Sequence, residues 1–80
     1  MRKPRQRPAR LAAKLLAIRQ HLGMSQTQMM KRLESNLVYT RISEWEIGRR
    51  EPNLMVLLQY ARLAKVPVEN LIDDNLDLPL

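Results

Sequence analysis

The stretch from Val38 to Pro52, VYTRISEWEIGRREP, decides the fold, because it combines a short helical segment with the signal that ends it. We predict a helix up to Ile47, ended by Gly48 and followed by a basic loop. Glu44 and Glu46 lie just before that loop. If the chain binds an anion, the presence of two carboxylates beside the basic loop needs an explanation.

The rest of the chain is small and suited to helices. Its 80 residues make one domain, 45% of them are apolar, glycine occurs twice, and phenylalanine and cysteine are absent. No apolar run approaches the ~20 residues that cross a bilayer. The charged N-terminus is not followed by the apolar segment of a signal peptide. We therefore expect a soluble cytoplasmic protein, with no membrane partner.

The positive charge is concentrated in the first part of the chain. Residues 1–50 hold 12 basic and three acidic side chains, a net charge of +9, whereas residues 51–80 hold two basic and five acidic ones, a net charge of −3. This asymmetry indicates that one part faces a polyanion, for which nucleic acid is the leading candidate.

The apolar spacing predicts five helices and no strands. The first carries the stripe Leu11, Leu15, Ile18 and Leu22, and the fourth carries Leu54, Leu57, Leu58 and Ala61. Ser25 with Gln28 and, further on, Asn53 are predicted to cap the second and fourth helices. We place a flexible basic arm at 1–10, the folded domain at 11–74 and a C-terminal tail at 75–80.

Two short helices joined by a tight turn, with basic residues after the second, form the helix-turn-helix arrangement. The major groove is about 12 Å wide and admits one α-helix, which the preceding helix braces against the backbone. Two short amphipathic helices alone are a weak signal, since most such pairs are only core.

The order of motifs is more specific, and it resembles the phage repressor and Cro-like helix-turn-helix regulators of the xenobiotic-response-element type. The resemblance spans roughly residues 11–72 and rests on three segments: RxxLGMSQ from Arg19, ISxWExGRRxP from Ile42, and the apolar positions from Leu57 to Leu71. It implies a compact all-α, lambda-repressor-like domain of five helices. It also implies sequence-specific binding of double-stranded DNA, usually as a homodimer on a near-palindromic operator.

The same resemblance assigns roles to residues of the recognition helix, at about 38–46, and its loop. It places Glu44 one turn beyond the N-terminal end that faces the bases, where a carboxylate can accept a hydrogen bond from cytosine N4. The predicted base contacts are Val38, Tyr39, Thr40, Arg41, Ser43 and Glu44. The predicted phosphate contacts are Gln26, Gly48, Arg49 and Arg50.

Glu46 receives a structural role from the resemblance. In this family the glutamate at its position pairs with the arginine at the position of Arg19, so we predict a partly buried Arg19–Glu46 ion pair between the third and first helices. Trp45 is expected to pack the recognition helix onto the core.

The turn before the recognition helix departs from the family pattern. Met30 replaces a small residue, Glu34 replaces a glycine, and the spacing from Leu33 to Ile42 is two residues longer than usual. We predict that Met30 pushes the two helices apart and that the longer turn accommodates it.

The N-terminal arm also carries a possible DNA-binding pattern. Arg2, Lys3, Arg5 and Arg7 are interrupted by prolines, and the segment is similar to the AT-hook core, with Gln6 where that core has glycine. One reading is insertion into a narrow minor groove, and the other, favoured here, is a basic arm that adds phosphate contacts.

The C-terminal part is expected to carry dimerisation, through Leu71, Ile72, Leu76, Leu78 and Leu80. We expect no enzyme, cofactor or metal site, because no nucleophile, base and orienting group occur together and the aspartates lack the spacing of a calcium loop. The expected function is a transcriptional regulator, in particular a repressor, acting in the nucleoid. The alternative is an antitoxin or a protein-interaction module whose tail binds a partner protein.

Overall fold

A computed structural model describes residues 8–33 and 40–80 of the chain, and within them it contains five α-helices and no strands. The helices are α1 (Leu11–His21), α2 (Gln26–Arg32), α3 (Thr40–Glu46), α4 (Leu54–Ala64) and α5 (Glu69–Ile72). The predicted all-α fold is confirmed. None of these helices is long and apolar enough to cross a membrane.

Helix α1 forms the centre of the domain. It packs against α3, α4 and α5, while α2 packs against α3. The buried apolar side chains form one cluster, drawn from all five helices and two connections: Leu11, Leu15, Ile18, Met29, Leu33, Ile42, Trp45, Val56, Leu57, Tyr60, Ala61, Val66 and Leu71. Each helix therefore contributes to a single core, and α3 packs against both α1 and α2.

The starts of α2 and α4 are capped as the sequence predicts. The Ser25 hydroxyl accepts the backbone N–H of Gln28, and the Gln28 side chain accepts the backbone N–H of Ser25, which completes a capping box. The Asn53 side chain accepts the backbone N–H of Val56 at the start of α4. These bonds satisfy backbone donors that a helix leaves unpaired at its first turn.

Three helices end on a residue with left-handed backbone geometry. Gly23 and Gly48 follow α1 and α3 with φ of 68° and 79°. Lys65 follows α4 with φ of 58°, and its backbone N–H donates to the Arg62 carbonyl. A side chain at such a position costs roughly 1–2 kcal/mol, so Lys65 is a strained residue that the sequence analysis did not anticipate.

The buried face of α4 differs from the predicted stripe. Leu54 is 75% exposed, and Leu58 is only half-buried. The core positions are instead Val56, Leu57, Tyr60 and Ala61, so the prediction for Leu54 is wrong. Residues 54–58 are all apolar, and such a run does not reveal which side of the helix faces inward.

The predicted dimerisation residues also need one correction. Leu71 is fully buried in the core, so it is not available to a second chain, and Leu78 is half-buried against the same core. Ile72, Leu76 and Leu80 are exposed. Of the five predicted residues, these three therefore stay candidates for a contact with a second chain.

Candidate nucleic-acid interface

The described part of the recognition helix begins at Thr40. Val38, Tyr39 and the turn predicted to be widened by Met30 lie outside the described residues, so these predictions stay open; Met30 itself is half-buried against the core. Arg41 and Ser43 are half-buried on α3, whereas Ile42 is buried beneath them.

Glu46, at the end of α3, joins three helices through its carboxylate. Its Oε2 accepts from Arg19 Nε at 2.6 Å and its Oε1 accepts from Arg19 Nη2 at 3.0 Å. The same Oε1 also accepts from Gln26 Nε2 at 3.0 Å. The pair expected from the sequence is therefore bidentate in geometry, and it includes Gln26 at the start of α2 as a third member.

Solvent is largely excluded from this junction. The Glu46 side chain is 5% exposed and the Arg19 side chain 17%. Hydrogen bonding to Glu46, partly opposed by burial, raises the pKa of Arg19. The remaining amino group of Arg19 donates to the Met24 carbonyl. Since both charges are withdrawn from water, loss of one would leave the other poorly compensated.

Trp45 provides an apolar contact that holds α3 on the core, beside the Glu46 junction. Its ring lies edge-on to the buried Tyr60 ring, with centroids 6.4 Å apart and planes at 70°, a favourable arrangement for two aromatic rings. Burial raises the pKa of Tyr60, and the negative charge of Glu46 adds to this effect. Helix α3 is thus fixed to the core by an aromatic contact on one side and an ion pair at its end.

Glu44, two residues earlier, lies on the surface and has different partners. Its Oε2 is 2.6 Å from Arg50 Nε and 3.8 Å from Arg41 Nη1. The side chain of Glu44 is 26% exposed and that of Arg50 is 58% exposed. This cluster was not predicted, although Glu44 and Arg41 are three residues apart, a spacing that brings helical side chains together.

The basic loop folds back over the end of α3. The backbone N–H groups of Arg49 and Arg50 both donate to the Glu44 carbonyl, at 2.9 and 3.4 Å. Gly48 makes the reversal, and a side chain there would meet the Ala12 Cβ at 3.7 Å. Gly48, Arg49 and Arg50 are exposed. The loop therefore presents two guanidinium groups beside α3, on a backbone tied to that helix.

A cavity of about 230 Å³ lies between this loop and the start of α1. Its lining includes Pro8 and Ala9 before α1, and Gly48, Arg50, Glu51 and Pro52 of the loop. Trp45 forms part of the wall. Pro8 and Ala9 therefore lie next to the loop that carries the arginines.

Lys14 is a buried charged residue with a structural role that was not predicted from the sequence. It is 4% exposed, and its Nζ donates to the backbone carbonyls of Asn70, Asp73 and Leu76 at 2.7, 2.9 and 2.7 Å. A signal was present, because Lys14 is three residues after Leu11 and so lies on the core-facing stripe of α1. Its ammonium group fastens the C-terminal segment to α1.

A short helix anchored on a bracing helix and followed by an exposed basic loop defines a helix-turn-helix domain. Residues 15–71, more than half of the chain, match the helix-turn-helix family of Cro/C1 type, and the chain belongs to this family. None of the curated proteins compared with it matches. Family membership makes the chain a DNA-binding domain of the kind found in transcription regulators. Among the described residues, no cluster of His, Cys, Asp and Glu could hold a metal ion.

Proposed function

We propose that the chain is a transcriptional repressor that binds a near-palindromic operator as a homodimer, through α3 and the loop that follows it. The observation that carries this proposal is the anchoring of α3 by Glu46 next to the exposed Arg49 and Arg50. Phosphate contacts from such a loop set position and orientation, while side chains on the helix read base edges.

The base-reading side chains in this proposal come from the exposed face of α3 and the residues just before it. Arg41, Ser43 and Glu44 are the described members with partly exposed side chains, and Val38, Tyr39 and Thr40 complete the proposed set. Glu44 holds Arg50 in the free protein. On DNA, a phosphate competes for Arg50, and the carboxylate becomes able to accept from cytosine N4.

The phosphate contacts of this proposal are made by the loop and by Gln26. One N–H of the Gln26 side-chain amide donates a hydrogen bond to Glu46. An amide nitrogen carries two protons, so the second remains for a phosphate oxygen. Gln26 would then connect the backbone of the DNA directly to the junction that orients α3.

Dimerisation is proposed through the exposed C-terminal side chains Ile72, Leu76 and Leu80. The same exposure favours the second candidate, an antitoxin or interaction module that binds a partner protein there. Sedimentation of the wild type and of an Ile72→Lys variant distinguishes the self-association that we propose from a monomer. A wild-type monomer, both free and on DNA, would contradict the dimer.

Selection of duplexes from a random pool tests the operator proposal. We expect an inverted repeat whose half-sites lie about one helical turn, ~34 Å, apart. A parallel selection with Glu44→Gln should change the preference at one base pair per half-site. An enriched sequence without internal symmetry would contradict binding as a symmetric dimer.

A further inference from the structure

The start of α1 is bound by the acidic C-terminal segment. The Asp74 carboxylate accepts both the Ala9 backbone N–H, at 2.8 Å, and the Arg10 backbone N–H, at 3.0 Å. These two bonds, rather than charge alone, lower the pKa of Asp74. Because backbone donors are fixed in direction, the contact sets the path of the chain at Ala9.

The Arg10 side chain completes this contact. Its Nη1 donates to the carbonyls of Asp74 and Leu76, at 2.9 and 3.3 Å, and its Nη2 pairs with the Asp77 carboxylate. We call the contacts of Ala9 and Arg10 with Asp74 and Asp77 the terminal clasp. The Arg10 side chain is thus bound to the C-terminal segment of the domain.

Lys14 fixes the backbone of the C-terminal segment next to the clasp. Its three bonds hold the carbonyls of Asn70, Asp73 and Leu76 against α1. The backbone on either side of Asp74 is therefore held against α1, so the Asp74 carboxylate has a defined position relative to Ala9.

The clasp lies close to the basic loop. Pro8 and Ala9 border the same cavity as Gly48, Arg50, Glu51 and Pro52. Residues 1–7, with the predicted arm contacts Arg2, Lys3, Arg5 and Arg7, lie outside the described residues and are joined to the domain at Pro8.

We infer that the terminal clasp is a positioning device, which directs the basic arm to the phosphates next to those bound by Arg49 and Arg50. This inference rests on the proposed DNA binding. An arm that leaves the domain in a set direction loses less conformational entropy when it contacts a phosphate than one that leaves in many directions. Asp74 and Asp77 are positioning residues in this account, because they act on DNA through the arm.

Simple electrostatics predicts the opposite result for the loss of Asp74. Removing a negative charge from the domain raises its net charge, which by itself strengthens binding to a polyanion. Positioning predicts weaker binding instead. The sign of the change therefore distinguishes the two explanations.

The experiment measures the affinity for one fixed duplex, taken from the selection, at two salt concentrations. Asp74→Ala is compared with Glu69→Ala, an exposed residue of α5 whose loss changes the charge equally. Both substitutions are made in the full chain and in a chain that begins at Pro8, with helix content and Tm checked for each protein. Asp77→Asn, which removes only the carboxylate partner of the Arg10 side chain, serves if Asp74→Ala does not fold.

We expect Asp74→Ala to lower the affinity of the full chain roughly threefold to tenfold. The upper value corresponds to the loss of about one phosphate contact. The substitution should not weaken the chain that begins at Pro8, and Glu69→Ala should weaken neither chain. An equal loss in both chains would show a structural role only and overturn the inference. Equal behaviour of Asp74→Ala and Glu69→Ala would also overturn it, whereas absence of wild-type binding would overturn the proposed function as well.

Discussion

Two carboxylates on one short helix hold arginines in opposite surroundings. Glu46 lies at the junction of α1, α2 and α3, where it is almost fully withdrawn from solvent and also accepts from Gln26. Glu44 lies on the outer face and holds Arg50 in the open. Both pairs have the same closest N–O distance, 2.6 Å. The Glu46 pair is also bidentate and nearly buried, so hydrogen bonding and burial together separate their roles.

This difference explains how the proposed DNA-binding surface can include acidic residues. The carboxylate at the buried junction neutralises a guanidinium inside the domain and contributes to the orientation of α3. The carboxylate on the surface is weakly bound, since exposed pairs contribute only ~0–1 kcal/mol, and a phosphate can replace it.

The largest expected effect is on the buried junction. Glu46→Ala leaves Arg19 without its carboxylate in a site that is mostly closed to water, so we expect the free energy of unfolding to fall by about 2–4 kcal/mol. Thermal unfolding followed by circular dichroism measures this change. An unchanged Tm would contradict the structural role of the Arg19–Glu46 pair.

A double variant separates the charge from the packing. Arg19→Met with Glu46→Leu removes both charges and keeps apolar volume, and we expect it to recover much of the stability lost in Glu46→Ala. A double variant as unstable as Glu46→Ala would show that the hydrogen bonds of the junction matter more than its unpaired charge.

The next effect concerns the loop. Arg50→Ala removes a guanidinium beside α3 without opening the core, so we expect affinity for any duplex to fall about tenfold near 0.1 M salt, and the salt slope to decrease by about 0.9. Fluorescence anisotropy at several salt concentrations measures both. Arg62→Ala, an exposed residue of α4, is the matched control and should change the slope little.

A smaller, stabilising effect is expected at the end of α4. Lys65→Gly relieves the left-handed backbone at φ of 58°, and after the greater freedom of glycine in the unfolded chain is subtracted we expect a gain of roughly 0.5–1 kcal/mol. Lys65→Ala loses the same charge but keeps the Cβ, so it should not gain. A stabilised background also allows Glu46→Ala to be measured if that variant unfolds too readily. Equal stability of the two Lys65 variants would rule out strain.

The smallest effect on stability is expected for Glu44→Gln. Its pair with Arg50 is exposed, so the free energy of unfolding should change by less than about 0.5 kcal/mol, and affinity for random duplexes should not fall. A drop in Tm as large as that of Glu46→Ala would contradict the division between the two carboxylates.

The fold and the buried junction were predictable because they depend on residues close together in the helical pattern or on family motifs. The stripe of α1, the caps Ser25 and Asn53, and the ends at Gly23 and Gly48 all follow from local chemistry. The side of α4 that faces the core could not be predicted, because five consecutive apolar residues allow more than one buried face.

The terminal clasp could not be read from the sequence, since its members are more than sixty residues apart along the chain. Arg10 and Asp74 each look like ordinary surface charges. The three carbonyls that bind Lys14 carry no sequence signal, because every residue has one. The pair of Glu44 with Arg50 depends on the folding back of the loop, which only the three-dimensional arrangement reveals.

The central claim, that α3 and its loop form a DNA-binding surface, is tested most directly by titrating the wild type with the selected duplex and a scrambled one at two salt concentrations. We predict tighter binding to the selected duplex, and a decrease in affinity for both as salt increases. Binding that is absent, or that does not respond to salt, would contradict the claim and favour a module that binds a partner protein.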